Sequence, residues 1–172
     1  MELLVADDLF DSYKDIFPGI RKDIEGKNVA KFLQKISQEG KKPITSFILA
    51  GHGGRSSKDG NAFTINSLSR LEKKPSFSRA QQKKGPVRCW FSVVATVMFS
   101  GCSSSSFAKQ FAREFMRKGT TVAGTNQPIG TFFDSLKGPQ IVYGYSDDPK
   151  TQDLKEDDYY SSKVWEKFNG NL

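Results

Sequence analysis

Two short apolar runs, each ended by a glycine, constrain the fold of this chain more than any other feature of its sequence. The first spans residues 44–50 and the second residues 90–100. Both are rich in β-branched and aromatic residues, and neither shows the polar alternation of a strand with one solvated face. Such runs are typical of strands that are buried on both faces in a parallel sheet. We therefore expect two central strands in a mainly parallel sheet.

Helical patterns separate and follow these strands. Apolar residues recur at helical spacing over residues 9–17, 29–36 and 107–116, the last with lysine and arginine on another face. Residues 2–6 precede them all and predict a further short strand. This alternation favours an α/β fold with a central, mainly parallel sheet flanked by helices. A chain of 172 residues has the length of one ordinary domain, so we predict a single domain over residues 1–172.

Weaker patterns occupy the C-terminal third of the chain. Residues 120–123 and 140–145 predict two more short strands, and residues 124–130 predict a loop between them. The serine run at 103–106 predicts a helix cap and a flexible turn. Residues 164–168 predict a last short helix.

The net charge of +7 is concentrated in one segment, residues 70–88, which we treat as a basic insertion loop. This segment contains seven basic side chains and one acid, Glu72, whereas residues 147–158 are acidic. A solvated insertion is the simplest interpretation, and an anion site or a cleavage or docking loop is the alternative. Only Phe77 is aromatic there, which argues against a nucleic-acid interface because base stacking needs more rings.

Neither a membrane span nor a secretory signal is expected from the sequence. Both apolar runs are shorter than the ~20 residues that a spanning helix needs. The N-terminal stretch lacks the basic and long apolar regions of a standard signal peptide. An extended strand between Cys89 and Cys102 would hold them too far apart for a disulfide, so we expect free thiols in a reducing compartment. The expected location is the cytoplasm, or outside the cell after export by a route without such a signal.

A reactive side chain follows the glycine at the end of each apolar run. Gly51 precedes His52, the only histidine, and Gly101 precedes Cys102. Ligand sites in open parallel sheets form beyond the carboxyl ends of strands, so His52 and Cys102 meet there if the two strands are neighbours. The start of the next helix favours the thiolate of Cys102, and the imidazole would serve as general acid or base. Backbone N–H groups of Gly53 and Cys102 are candidates for an oxyanion hole.

An apolar strand ending in His-Gly, followed 50 residues later by one ending in Gly-Cys, resembles the caspase-like (clan CD) cysteine peptidases. The sequence SGCSSS around Cys102 lacks the local caspase signature and is closer to the divergent bacterial type, such as self-cleaving toxin cysteine protease domains. The resemblance covers residues 44–125 best. It implies a three-layer caspase-like fold, a His52/Cys102 dyad, and endopeptidase activity in self-processing or in a secreted effector or toxin. It also implies that a polyphosphate effector could bind at residues 70–88.

The remaining predictions concern substrate and alternatives. A protein or peptide substrate is expected, and Arg55, Asp134 and a turn at 130–131 are candidates for binding it. The loops expected to form the pocket are residues 53–61, 70–88 and 124–138. The motifs of a P-loop, a serine-hydrolase elbow and a zinc site are missing, so neither a cofactor nor a metal is expected. The alternative function is a catalytically silent caspase-like scaffold that binds a protein partner or an anion through the basic loop. A third is an effector that modifies a protein without cleaving it.

Overall fold

The structure, a computed structural model, describes residues 2–6, 14, 21–23, 43–51, 91–144 and 148–171. Its elements in chain order are β1 Glu2–Ala6, β2 Arg21–Asp23, β3 Ile44–Ala50, β4 Phe91–Ser100, α1 Ser105–Phe115, β5 Thr121–Thr125, β6 Ile129–Asp134, β7 Gly138–Tyr143, β8 Lys155–Asp158 and β9 Trp165–Asn169. A six-stranded sheet has the order β2-β1-β3-β4-β5-β9, and a three-stranded sheet has the order β6-β7-β8. The helices predicted over 9–17 and 29–36 lie outside the described residues.

The larger sheet is parallel from β2 across to β5. The expected α/β class with a mainly parallel sheet is therefore confirmed, and the two apolar runs lie side by side as β3 and β4. β9 pairs antiparallel with β5 at the edge. The helix predicted over 164–168 is wrong, because this segment forms β9. As a strand it places Trp165 and Phe168 on opposite faces of the sheet, where each packs in a different core cluster.

Apolar clusters cover both faces of the larger sheet. The cluster on the α1 face includes Phe47, Leu49, Val97, Phe99, Phe107, Phe111, Phe115 and Val122. The cluster on the opposite face includes Ile48, Ala50, Met98, Ala123, Ile141, Tyr143, Tyr159, Val164 and Trp165. Alternate residues of β3 and β4 thus point to α1 and to the smaller sheet in turn. In the described ranges the layers are α1, the larger sheet and the smaller sheet.

Helix α1 matches its sequence prediction closely. Phe107, Phe111 and Phe115 are buried along one face, while Lys109 and Arg113 are exposed. The ring of Phe99 on β4 meets Phe107 and Phe111 edge-on, with centroids 4.9 and 5.0 Å away. These ring contacts fix α1 above the carboxyl end of β4. The described ranges contain no helix with the length and hydropathy to span a bilayer.

The first half of β4 is not buried as its composition predicts. Val93 and Val94 are 54% and 69% exposed. The register with β3 jumps here, since Ile44 pairs with Phe91 and Ser46 pairs with Thr96. The intervening residues of β4 bulge away from β3, so the apolar composition of the run does not translate into burial along its whole length.

The first strand of the smaller sheet falls where the sequence predicts a loop. Gly124 still belongs to β5, and Ile129 already begins β6, so the loop predicted over 124–130 is wrong except for residues 126–128. Most of the predicted pocket loop 124–138 is likewise the β6–β7 hairpin. The strand predicted over 140–145 exists but is Gly138–Tyr143. Glycine misled the prediction here, because Gly124 occupies a strand position with no room for a side chain.

Candidate active site at the ends of β3 and β4

The carboxyl ends of β3 and β4 lie side by side, and the two strands end at the same level of the sheet. Ala50 pairs with Ser100 in the parallel register, and the Gly51 N–H donates to the Ser100 carbonyl at 3.0 Å. The condition on which the His52/Cys102 prediction depends, that the two strands are neighbours, is therefore met. His52 is the residue after Gly51, and it lies outside the described residues.

Several other predicted site residues also lie outside the described ranges. These are the candidate oxyanion donor Gly53, the candidate substrate-binding residue Arg55 and the basic loop 70–88 with its predicted anion effector. Cys89 lies outside them as well, while Cys102 carries a free thiol. The described part of the site is therefore its cysteine side and the glycine that leads to the histidine.

Cys102 lies in the turn that joins β4 to α1, and its side chain is half-buried. The turn begins with a hydrogen bond from the Gly101 N–H to the Phe99 carbonyl at 3.1 Å. The thiol contacts the first residue of β6 twice. The Ile129 N–H donates to Sγ at 3.4 Å, and the thiol donates to the Ile129 carbonyl at 3.5 Å. An N–H donor on sulfur stabilises a thiolate, whereas the bond to the carbonyl needs the protonated thiol.

Ser103 bends the chain from Cys102 into α1 with a left-handed backbone. Its φ is 52°, a value that is uncommon outside glycine and costs on the order of 1 kcal/mol. The Ser103 N–H donates to the Gln127 carbonyl at 3.1 Å, which holds the strained residue against the β5–β6 connection. Strain of this kind persists only where surrounding contacts determine the backbone.

Ser104 and Thr125 cross-link the turn to the end of β5. Ser104 is the N-cap residue of α1, as the serine run predicts, but its hydroxyl makes no cap hydrogen bond. The hydroxyl instead donates to the Phe99 carbonyl at 2.6 Å and accepts the Thr125 N–H at 2.9 Å. The Thr125 hydroxyl donates to the Gly101 carbonyl, and the Ser104 N–H donates to that hydroxyl at 3.4 Å. The serine run is thus a hydrogen-bonded corner and not the flexible turn that we expected.

The Cys102 N–H differs from the two N–H groups that follow it in the turn. The N–H groups of Ser103 and Ser104 are both used in hydrogen bonds, whereas among the described residues the Cys102 N–H makes none. A backbone N–H that the fold does not use is a candidate donor to an oxyanion.

Asp134 lies at the end of β6 that is remote from Cys102. It is five positions after Ile129, or about 16 Å along an extended strand. Its carboxylate accepts the N–H groups of Leu136 and Lys137, both at 2.8 Å. These bonds, that of Lys137 first, hold the pKa of Asp134 below its ordinary value. The structure thus gives Asp134 a place in the hairpin turn and does not bring it together with Cys102. The turn expected at 130–131 is wrong, since both residues are inside β6.

The outer edge of β6 runs away from the thiol. Ile129 directs its N–H and C=O toward Cys102, hence away from β7. Backbone groups alternate in direction along a strand of an antiparallel pair, so those of Thr131 and Phe133 point to the same outer side. Among the described strands, β6 pairs only with β7. In the part of the chain that the structure describes, an open row of backbone donors and acceptors therefore begins at Ile129, beside Cys102.

Sequence reasoning missed three contributors to the site. Thr125 falls in a segment predicted to be a loop, and Ser104 has the same sequence signal as its three serine neighbours. Ile129 contacts the thiol through its backbone N–H and C=O, which every non-proline residue has, so its residue type does not predict the contact. Only the fold, by ending β4 and β5 side by side, brings these residues to Cys102.

Comparison with known proteins identifies no relative of this chain. No protein-family model matches it, and neither a curated protein nor a solved structure gives a significant match. The function is therefore argued from the residues and geometry of the site.

Proposed function

We propose that this chain is a cysteine endopeptidase of the caspase-like, three-layer kind, with Cys102 as nucleophile and His52 as general acid and base. The observation that carries the proposal is the parallel register of β3 and β4, with Gly51 hydrogen-bonded to Ser100. It means that the histidine and the cysteine each follow the carboxyl end of one of two adjacent central strands, where sites of parallel sheets form.

The proposed reaction proceeds by acyl transfer. The Cys102 thiolate attacks the carbonyl carbon of the substrate, while the N–H groups of Cys102 and Gly53 stabilise the oxyanion. The C–N bond breaks as the protonated His52 imidazole donates its proton to the leaving amine, which yields a thioester. His52 then takes a proton from water as the water attacks the thioester. The C–S bond breaks, which releases the acid product and restores the Cys102 thiolate and the protonated His52.

Helix α1 begins three positions after Cys102. The helix has 11 residues and carries no acidic side chain in its first turn. Its N-terminal N–H groups are therefore not neutralised by a carboxylate, and they present partial positive charge. The Ile129 N–H, which donates to Sγ at 3.4 Å, is a further hydrogen-bond donor at this end of the sheet.

The outer edge of β6 supports a peptide as substrate. An extended peptide can add to an open strand edge by main-chain hydrogen bonds, with little dependence on its sequence. The row formed by Thr131 and Phe133 begins at Ile129, which touches the thiol. A peptide paired along this row would bring a carbonyl to Cys102. Phe133 is 51% exposed on this strand and would contact a side chain of that peptide.

Thr131→Pro tests this binding edge. Proline removes an outward N–H but no hydrogen bond between β6 and β7, and edge strands tolerate it. We expect KM for a peptide substrate to rise about tenfold, the equivalent of one lost main-chain hydrogen bond. Alkylation of Cys102 by iodoacetamide should not change. Thr131→Val, which keeps the N–H, is the matched control and should leave KM unchanged; equal KM values for the two variants would exclude the edge as the binding site.

Thiol reactivity tests the proposed nucleophile directly. The native chain is treated with iodoacetamide at neutral pH, and the labelling of Cys102 and Cys89 is followed by mass spectrometry. The same chain in denaturant gives the reactivity of each thiol without structure. We expect native Cys102 to react at least about tenfold faster than unfolded Cys102, because only an activated thiolate exceeds the unfolded rate. A native rate at or below the unfolded rate would contradict the enzyme and favour the silent scaffold.

A further inference from the structure

We propose that the Ser104–Thr125 hydroxyl pair positions the catalytic thiol of Cys102. This inference rests on the proposed function, because it assigns a role to residues that touch neither the substrate nor the sulfur. It identifies Ser104 and Thr125 as positioning residues. Their hydrogen bonds fix the nucleophile where the carboxyl ends of β4 and β5 lie side by side.

The pair anchors the chain on both sides of Cys102. Before it, the Thr125 hydroxyl binds the Gly101 carbonyl and the Ser104 hydroxyl binds the Phe99 carbonyl. After it, the Ser104 N–H is held by the Thr125 hydroxyl. The two hydroxyl oxygens are 3.3 Å apart, and each hydroxyl donates its one hydrogen to a backbone carbonyl. Cys102 is thus confined between two residues that are each tied to Thr125.

Thr125 is the more important member of the pair because of its burial. Its exposed fraction is 0%, so its hydroxyl has no water to replace the Gly101 carbonyl as partner. A hydroxyl buried at the end of a central strand is costly unless its bonds are satisfied. Here the satisfying partners are the backbone groups that flank the proposed nucleophile.

Ser104 uses its hydroxyl in a way that helix stability alone does not explain. An N-cap serine normally accepts a hydrogen bond from the first turn of its own helix. Ser104 instead binds Phe99 and Thr125, which belong to the two strands. Its side chain therefore stabilises the corner and leaves the first-turn N–H groups of α1 without that acceptor. The hydrogen bonds of Ser104 therefore fix the backbone on both sides of Cys102.

Variants at these positions can separate positioning from stability. Thr125→Val removes the hydroxyl at nearly constant volume, Thr125→Ser keeps it, and Ser104→Ala tests the partner. Thr120→Val is the matched control: Thr120 is also buried at 1% exposure, and its hydroxyl donates to the Arg117 carbonyl at 2.7 Å near the opposite end of β5. Each variant is assayed for folding by circular dichroism and urea unfolding, and for iodoacetamide labelling of Cys102 relative to Cys89.

We expect Thr125→Val and Ser104→Ala each to slow Cys102 labelling about tenfold at neutral pH, the scale of a misplaced reacting group. Thr125→Ser should restore the labelling rate of Cys102. Thr120→Val should lower the stability of the fold and leave that labelling rate unchanged. The double variant Ser104→Ala/Thr125→Val should be no slower than the slower single one, because the hydroxyls act as a unit. The amide of Thr125 should exchange faster with solvent in Ser104→Ala, which removes its acceptor.

The outcomes distinguish this inference from the proposed function. If wild-type Cys102 reacts no faster than unfolded Cys102, the proposed function fails and the pair has no nucleophile to position. If Cys102 of the wild type is labelled faster than unfolded Cys102, and the Thr125 and Ser104 variants are labelled equally fast, only the positioning role is overturned. If Thr125→Val does not fold, Ser104→Ala decides, since Ser104 is only half-buried.

Discussion

Replacing Cys102 by alanine is expected to abolish peptide-bond cleavage and to leave the fold intact. Removal of a catalytic nucleophile lowers turnover by about six orders of magnitude in hydrolases of the triad type. The side chain is half-buried, and its only described hydrogen bonds join it to Ile129. Its loss should therefore cost no more than about 1 kcal/mol of stability.

The measurement uses intact mass and a peptide library in parallel. Wild type and Cys102→Ala are incubated alone, with polyphosphate and with the library, and all products are identified by mass. Cleavage within 70–88 in the wild type alone would establish self-processing. Cys89→Ala is the matched control and should retain activity, while His52→Ala should lose it. Cleavage that persists in Cys102→Ala, with its fold verified, would exclude Cys102 as the nucleophile.

The central strands could be predicted because their burial is recorded directly in their composition. Ile44–Ala50 and the second half of Phe91–Ser100 are apolar since both faces of the larger sheet are covered there, one by α1 and the other by the smaller sheet. The same logic found α1, whose phenylalanines repeat at helical spacing. Tertiary burial leaves a periodic trace of this kind, and a single sequence is enough to detect it.

The edge strands could not be predicted because their pairing depends on partners remote in sequence. Trp165–Asn169 has one buried residue at its start and charged residues after it, and only the free edge of β5 makes it a strand. The β6–β7 hairpin contains glycine and proline, which usually mark loops. Pro139 fits in β7 because its nitrogen faces away from β6, so no hydrogen bond of the hairpin is lost. Its carbonyl accepts the Tyr159 N–H.

The residues of the site also divide into those that the sequence could predict and those that it could not. Cys102 and Gly51 could be placed from the sequence, since each follows a recognisable strand and the chain order fixes which residue comes after it. Ile129, Ser104 and Thr125 could not, because they reach the thiol through a register and through backbone groups. Residues that supply chemistry can be recognised in the sequence by their type. Residues that position them can be recognised only once the fold is known.

Gly124→Ala is expected to show how closely the fold and the site are coupled. A Cβ at this position of β5 would lie 2.7 Å from the Ser104 carbonyl oxygen and 2.8 Å from the Cβ of Ala108. Neither atom belongs to a flexible side chain, so the first turn of α1 must move. We expect a loss of about 3 kcal/mol in the free energy of unfolding, at the upper end of the range for overpacked cores. Urea unfolding measures it, and Cys102 labelling should slow because Ser104 moves with the helix.

A double-mutant cycle with Ala108→Gly identifies the cause of that loss. Ala108→Gly alone should destabilise the chain by about 1 kcal/mol, since glycine is a poor helix former. In the Gly124→Ala background it also removes one of the close contacts, so the combined loss should be smaller than the sum by about 1 kcal/mol. Strict additivity would mean that the helix does not rest on Gly124. A positive coupling, together with partial recovery of Cys102 labelling, would show that the absence of a side chain at Gly124 allows the corner at Ser104 to form.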